Sequence, residues 1–409
     1  MSSSSSNILD LIDDLISDDS DAAGISFITQ YRSVSETVTP PAGTLAMKDA
    51  GDGTKKPESF FRLPDGRYAV SLDSWGSQAN RFESALLRHK DDLGLPLITF
   101  VRTVDDREES AGNSLTWSHR QSDVTFRVGR LAAAKAGVPF DDIQQATPSC
   151  ADALLGWFPQ SLIFGWWNSH SKVNEEKWRQ LHVKAGLPAN EKELTSPTGA
   201  NSDAHRSARA VSSEIIAKGV ALRTRHAARV DNVFGPVKSK KDAKDKGDGK
   251  GPLAQLGFGS IPPASAPKDV SYDSIEGRTF VSLTRLRQFG FSDPNNTVTY
   301  RKVLVLLALA GIVAAQRETL LRSGTDLIVQ EGGVTVSVER HGAASEAVTL
   351  PKFEEVAAAL RAAVAAAGLE WHTRQVTVDV TDIKLIETVL NSQFADTETE
   401  STSEAETRA

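Results

Sequence analysis

Three stretches of this chain hold side chains suited by type and spacing to gripping an anion. In Asp73-Ser-Trp-Gly-Ser-Gln-Ala-Asn-Arg-Phe-Glu83 an expected strand hands over to an expected helix, and Ser77, Gln78, Asn80 and Arg81 crowd its first turns. Free N–H groups at a helix N-terminus attract negative charge, and Arg81 adds a planar fork that matches a phosphate. Capping by Asp73 or Ser74, with Arg81 and Glu83 as a surface patch, accounts for the same residues without a ligand. Residues 156–171 concentrate three of the seven Trp, among them Trp166 and Trp167, ahead of His170. Indole faces near cations stack unpaired bases, although an aromatic core strand fits this composition too. The third stretch runs from His205, Arg206 and Arg209 through Arg223 and Arg225 to Lys238, Lys240 and Lys241. Residues 205–250 carry twelve Lys and Arg against five Asp and Glu. That asymmetry is the footprint of a phosphate-backbone site, or of a solvated loop.

Covalent and metal chemistry find less support. Gly51-Asp-Gly-Thr-Lys-Lys and Gly247-Asp-Gly-Lys-Gly lack the spacing and the Lys-Ser/Thr ending of a phosphate-cradling loop. The eight His show no i, i+4 pair, and no acidic run has calcium-loop spacing. No Gly-x-Ser-x-Gly elbow occurs, and the sequence neighbours Ser169 and His170 are no evidence for a triad, which is a spatial arrangement. The reading is therefore no catalytic residue, no metal and no cofactor. Cys150 is the single cysteine, which excludes an internal disulfide framework and fits a reducing cytoplasm.

The formal net charge of −7 over 409 residues argues against a nucleic-acid partner until the charge is located. Residues 1–22 hold six Asp and no cation, and residues 396–409 are net −4. Setting those ends aside leaves residues 23–395 at +3, with the basic stretch inside them. Acidic low-complexity ends are expected to be disordered tails, over 1–23 and 396–409. The N-terminus lacks the basic and apolar regions of a signal peptide. The longest apolar run, Val303–Ala315, is too short to span a bilayer and reads as a core helix. A soluble cytoplasmic protein without membrane contact is expected.

The elements that must position these groups follow from periodicity. Alternation predicts strands over 25–31, 67–72, 96–101, 277–283 and 375–380. Helices are expected over 76–90, 128–136, 174–182, 299–318 and 352–367, the last with Pro351 in its first turn and Gly368 as its stop. Residues 103–125 look irregular, 161–167 apolar and buried, and 208–220 ambiguous. Gly332-Gly333 between two apolar runs predicts a hairpin. Residues 235–268 form a Lys-, Gly- and Pro-rich flexible insertion. The order implies an α+β fold with sequence-distant strands in one sheet, compatible with an elaborated ferredoxin-like core.

In this order, five segments resemble a known family. They are Asp73-Ser74 with Ser77-Gln-Ala-Asn-Arg81-x-Glu83; Ser161-Leu-Ile-Phe-Gly-Trp-Trp-Asn-Ser-His170; Ala208-Arg-Ala-Val-Ser-Ser-Glu-Ile216; Phe280-Val-Ser-Leu-Thr-Arg-Leu-Arg287; and Leu321-Arg-Ser-Gly-Thr-Asp-Leu327. The chain is similar in them to the CRISPR-associated RAMP proteins, in particular the backbone (Cas-seven, or Csb-one) subunit of type I-G complexes, formerly I-U. The resemblance implies a single elaborated RRM-like (RAMP) domain over 24–395, with large loop insertions at about 103–205 and 236–268. It implies a non-catalytic protein that oligomerises along a CRISPR RNA in a Cascade-type complex, beside other subunits, and presents the guide for pairing with a target DNA strand. Such a protein grips backbone and imposes shape, leaving sequence to base pairing. The RNA-binding candidates are then Gln78, Asn80, Arg81, Trp166, Trp167, His170, Arg206, Arg209, Arg223, Arg225, Lys238, Lys240 and Lys241. Two alternatives stay open: a RAMP endoribonuclease using Asp73, Asp203 or His205, and a metabolic α+β enzyme with a Trp-lined pocket.

Overall fold

The computed structural model describes residues 6–49, 55–57, 59–168, 206–229, 261–317 and 319–381. His170, Asp203, His205, Lys238, Lys240 and Lys241, the helix expected over 174–182 and the acidic stretch from 396 lie outside the described residues.

The first element is a helix. In α1 (Ile8–Ile16) the residues Ile8, Ile12, Leu15 and Ile16 share one face and are all buried. Asn7 caps it, its side-chain oxygen accepting from the Leu9 N–H at 3.0 Å. The acidic residues look outward to cations of other elements: Asp13 pairs with Lys302 at 2.7 Å, Asp18 with Arg301 at 2.6 Å and Asp21 with Arg340 at 2.5 Å. The disordered tail expected over 1–23 is thus corrected from residue 8 onward. Counting charge concealed an apolar stripe of helical period, and burying such a stripe outweighs solvating the acids beside it.

Then come β1 (Ala22–Ser33), β2 (Tyr68–Asp73), α2 (Trp75–Arg88) and β3 (Leu97–Val104). The segment expected to be irregular contains β4 (Arg107–Asn113), folded back on β3 through Asp105 and Asp106 at φ 48° and 59°. That left-handed pair is what a two-residue hairpin turn requires. Short helices at Phe140–Gln145, Asp152–Trp157 and Pro159–Phe164 belong to the same core as α1. From Leu115 to Asn168 the expected loop insertion therefore contributes to the core, while 103–110 stay exposed. A few large rings achieve this: Phe126 lies 5.5 Å from Trp117 and 5.1 Å from Phe158 between ring centroids.

Beyond them lie β5 (Trp166–Trp167), β6 (Arg206–Ser207), β7 (Val211–Lys218), β8 (Ala221–Arg229), β9 (Ile261–Ser271) and β10 (Ser274–Ser282). The ambiguous stretch is β7, whose residues alternate buried and half-buried. The flexible insertion expected up to 268 ends earlier, because β9 pairs antiparallel with β8 from Ile261. Pro262, Pro263 and Pro267 are tolerated there since, among the described residues, the other side of β9 is paired only at Val270 and Ser271, with Val38 and Thr37. The chain continues through α3 (Leu283–Arg287), α4 (Thr297–Arg317), β11 (Thr325–Arg340), α5 (Phe353–Ala366) and β12 (Gln375–Asp379).

The hairpin expected at Gly332-Gly333 is instead a bulge inside β11. Thr29 pairs with Val334 and Tyr31 with Val329, so residues 330–333 stand against Gln30 alone. Gly332 takes φ 63°, which lets the extra residues loop out without ending the strand. Pro351 precedes the Lys352 cap of α5 and is not in its first turn.

The main sheet runs Leu320–Arg322, β11, β1, β10, β7, β2 and Phe61–Arg62, all antiparallel. Its four central strands occur in the chain as β1, β7, β10 and β11, with α2 between the first two and α4 between the last two. Their spatial order is fourth, first, third, second. Ile25, Phe27, Val211, Val281, Val336 and Val338 of this sheet enter the core that holds α2 and α4. Residues 303–314 of α4 are buried, and the helix packs against α1, α2 and α5. It is long and apolar enough to cross a membrane, and here its side chains form the centre of the core. The last strand, β12, does not join the main sheet but runs parallel to β3 in a second one.

Candidate nucleic-acid interface

β2 ends in Asp73 and α2 begins two residues later, so the carboxylate points into the first turns of the helix. It is 1% exposed. Ser77 Oγ donates to it at 2.8 Å, Gln78 Nε2 at 2.6 Å and Arg81 Nε at 2.8 Å. Arg322 Nη2, from the edge strand of the sheet, reaches it at 3.5 Å. Gln78 Oε1 in turn accepts from Ser213 Oγ at 3.0 Å. Gln78 is therefore not a surface ligand: its amide is buried and used at both ends to tie α2 to Asp73 and β7. Arg81 keeps a quarter of its side chain exposed, and Asn80 lies exposed beside it.

A second carboxylate, on α2 itself, sits about one turn on from Asn80's neighbour Ala79. Glu83 meets Arg120 in a buried two-pronged pair, Nε to Oε1 at 2.6 Å and Nη2 to Oε2 at 2.8 Å. Burial pushes the Glu83 carboxyl up, and the charge and hydrogen bonds of Arg120 pull against it. The remaining prong, Arg120 Nη1, donates to Gly165 O at 3.0 Å, and the guanidinium lies 5.7 Å from the Phe164 ring centre. Arg120 takes φ 52°, a left-handed backbone rare for so large a residue.

Gly165 also takes a positive φ, 80°, and a Cβ there would sit 2.8 Å from Ser207 O and 2.9 Å from Arg209 N. Only glycine lets the 206–209 segment pass so close. The turn delivers β5 alongside β6, with Trp167 opposite Arg206 and Trp166 opposite Ser207. Strand alternation then divides the two indoles. Trp166 is buried and stacks on Phe289 at 6.1 Å, which corrects the expectation that it offers a free stacking face. Trp167 is 62% exposed. It borders an open cavity of about 560 Å³ together with Arg206, Arg285, Gln288 and Pro148. The site thus joins an exposed indole to two guanidiniums brought from three parts of the chain.

Arg209 is exposed beside the start of α2, its Nη2 3.7 Å from where a Cβ on Gly76 would lie. Partial burial lowers its pKa, Arg120 adds to that, and Glu83 opposes it. Arg223 and Arg225 stand on β8, away from the cavity lining. Arg225 bonds Asp269 at 2.5 Å and Thr37 Oγ1 at 3.3 Å, so much of its donor capacity is spent within the fold. The expected candidates therefore do not form one patch. Arg206 and Trp167 come together, Arg81 belongs to the Asp73 cluster, and Gln78 and Trp166 are packing groups. Sequence reading missed Arg285, Gln288 and Arg322. Each lies within or beside a segment on which the family resemblance rests, but none stands in a run of like charge.

Residues 35–185 match the family described as CRISPR-associated protein GSU0053. No curated protein matches the chain. Among solved structures, a chain of a "CRISPR RNA-guided surveillance complex, pre-nicking" is similar at 11% identity, covering 90% of this chain and 99% of that one with a TM-score of 0.28. The matched residues include β2, α2 and the Trp166–Trp167 strand, and over residues 35–185 the chain is similar to the CRISPR-associated protein GSU0053 family, in agreement with the CRISPR-associated resemblance read from the sequence.

Proposed function

We propose that this protein is a non-catalytic RNA-holding subunit of a CRISPR interference complex, of type I-G (formerly I-U). Its order of β1, α2, β7, β10, α4 and β11, with strands arranged fourth, first, third, second, supports reading the core as RRM-like. In this reading its partners are a CRISPR RNA, the target DNA strand paired to it, further copies of itself and other subunits of the complex. The observation that carries the proposal is the exposed Trp167 set across a ladder from Arg206, on a cavity shared with Arg285 and Gln288. An indole face takes an unpaired base, guanidiniums take the phosphates on either side, and neither contact reads sequence. Among the alternatives, Asp73 is a poor base, because Ser77, Gln78 and Arg81 already occupy its oxygens.

Binding of a labelled single-stranded CRISPR RNA tests the reading. Trp167→Ala is expected to weaken it by about 1–3 kcal/mol, the worth of one stacked base. Arg206→Gln and Arg285→Gln should each make the log–log salt slope shallower by about 0.7. Variants that bind like the parent would remove the cavity as the site. Magnesium-dependent cleavage lost in an Asp73 or His205 variant would replace the passive role with the endoribonuclease.

A further inference from the structure

We propose a second, separate phosphodiester contact: Arg81 and Arg322, held side by side by Asp73, form a fork for one RNA phosphate. The inference deepens the RNA-holding reading and rests on it.

The argument is one of charge balance. One carboxylate, 1% exposed, faces two guanidiniums whose side chains are 25% and 24% exposed. A one-to-one pair would be neutral, and this cluster carries a surplus positive charge. Two like charges sharing one partner in a partly dry site repel each other. Burial lowers the Arg322 pKa, and Arg81 lowers it further against the pull of Asp73. A fold that needed only to neutralise Asp73 would do so more cheaply with one arginine, since desolvating a second ion costs several kcal/mol in the absence of a counter-charge.

Donor geometry shows where that counter-charge fits. Arg81 spends Nε on Asp73 and Nη2 on Asp73 and Leu321 O at 3.3 Å each. Arg322 spends Nη2 on Asp73 and Nη1 on Thr39 O at 3.3 Å. Neither Arg81 Nη1 nor Arg322 Nε has an acceptor among the described residues. Asp73 and the two backbone carbonyls therefore fix the inner edges of both guanidiniums and leave donors for an anion at the partly exposed edge. Phosphate matches that geometry, because its several oxygens accept from two planar forks at once. A carboxylate partner from another protein chain would meet the same charge, but the chain's proposed ligand supplies phosphates in a row. Asp73 is then a positioning residue, and Arg322 is the binding residue that charge-run reading could not reveal.

The test uses the full chain and a single-stranded oligouridylate as probe, with affinity measured across a salt series. Arg322→Gln is expected to lower affinity at low salt about tenfold, as for one charged hydrogen-bonded contact. It should also make the salt slope shallower by about 0.7. Arg322→Lys should restore the slope but not the full affinity, because it returns the charge without the fork. Should Arg322→Gln fail to fold, the parent chain serves instead: phenylglyoxal modification of Arg81 and Arg322, read by peptide mass, is expected to fall when the RNA is bound. A parent that binds with a salt-dependent affinity while Arg322→Gln keeps its slope, or while both arginines are modified equally with and without RNA, overturns this contact and leaves the Trp167 site standing. A parent with no salt-dependent affinity for RNA overturns both.

Discussion

Two carboxylates on or beside α2 meet arginines, and they do so differently. Glu83 bonds Arg120 in a fully buried fork whose last prong clamps the Gly165 turn, and it also lies near the charge of the exposed Arg209. Asp73 bonds two arginines, Arg81 and Arg322, and both keep an edge toward solvent. The buried fork builds: it holds the turn that presents Trp167, and each of the three Arg120 nitrogens is bonded inside the fold. The unbalanced cluster is also structural at its inner edge, but its surplus charge remains for an anion. Whether a bonded guanidinium keeps a partly exposed edge therefore separates architecture from binding capacity better than the presence of arginine does.

That contrast can be broken experimentally, beginning with the buried pair. Glu83→Gln leaves Arg120 charged and uncompensated in the core, and should destabilise the protein by about 3–5 kcal/mol in denaturant titration. A loss below about 1 kcal/mol would mean that Arg120 finds water or another acceptor, and the pair would not be the clamp described. Asp73→Asn should cost less, about 1–3 kcal/mol, because the freed guanidiniums sit partly in water. A larger loss than for Glu83→Gln would invert the comparison.

A third carboxylate extends the contrast to the open face of the sheet and predicts the smallest effect. Glu276 accepts from Lys218, Arg278 and Gln30. Burial raises its pKa, but those hydrogen bonds overcome that and hold the carboxyl at about 2 against an ordinary 4.5. A depressed carboxyl stabilises the fold above its unfolded value, and the contribution disappears as pH falls from 4.5 through about 2. Glu276→Gln should flatten the acid limb of the stability curve in that window, by lowering stability at neutral pH while leaving the protein about as stable as the parent near pH 2. An unaltered acid limb would show that the three donors do not favour the charged form.

Legibility from sequence depended on the kind of force. β1, β2, α2, β10 and α4 were readable because burying one face imposes a period of 2 or 3.6 on neighbouring residues, a local signal. Elements that failed had competing local signals. Across residues 1–22 six acids, three of them in α1, obscured four spaced aliphatic residues of that helix, and in β11 a Gly-Gly pair that usually turns a chain made a bulge. At the proposed site, Arg81 and Trp167 stood in dense polar or aromatic segments and could be named as candidates from sequence. Gln78 looked equally exposed, and burial beneath Ser213 of β7 could not be inferred without knowing that the strand lies there.

By itself the sequence determined the α+β class, the long apolar central helix, the resemblance to a CRISPR-associated family and the residue types that grip phosphate and stack on bases. Those properties belong to neighbouring residues and their composition. Only the tertiary structure decided that Trp166 points in and Trp167 out, that Arg285 joins Arg206, and that Arg322 completes the Asp73 cluster from 249 residues away. Charge balance and donor satisfaction are sums over residues brought together in space, and no stretch of chain records them.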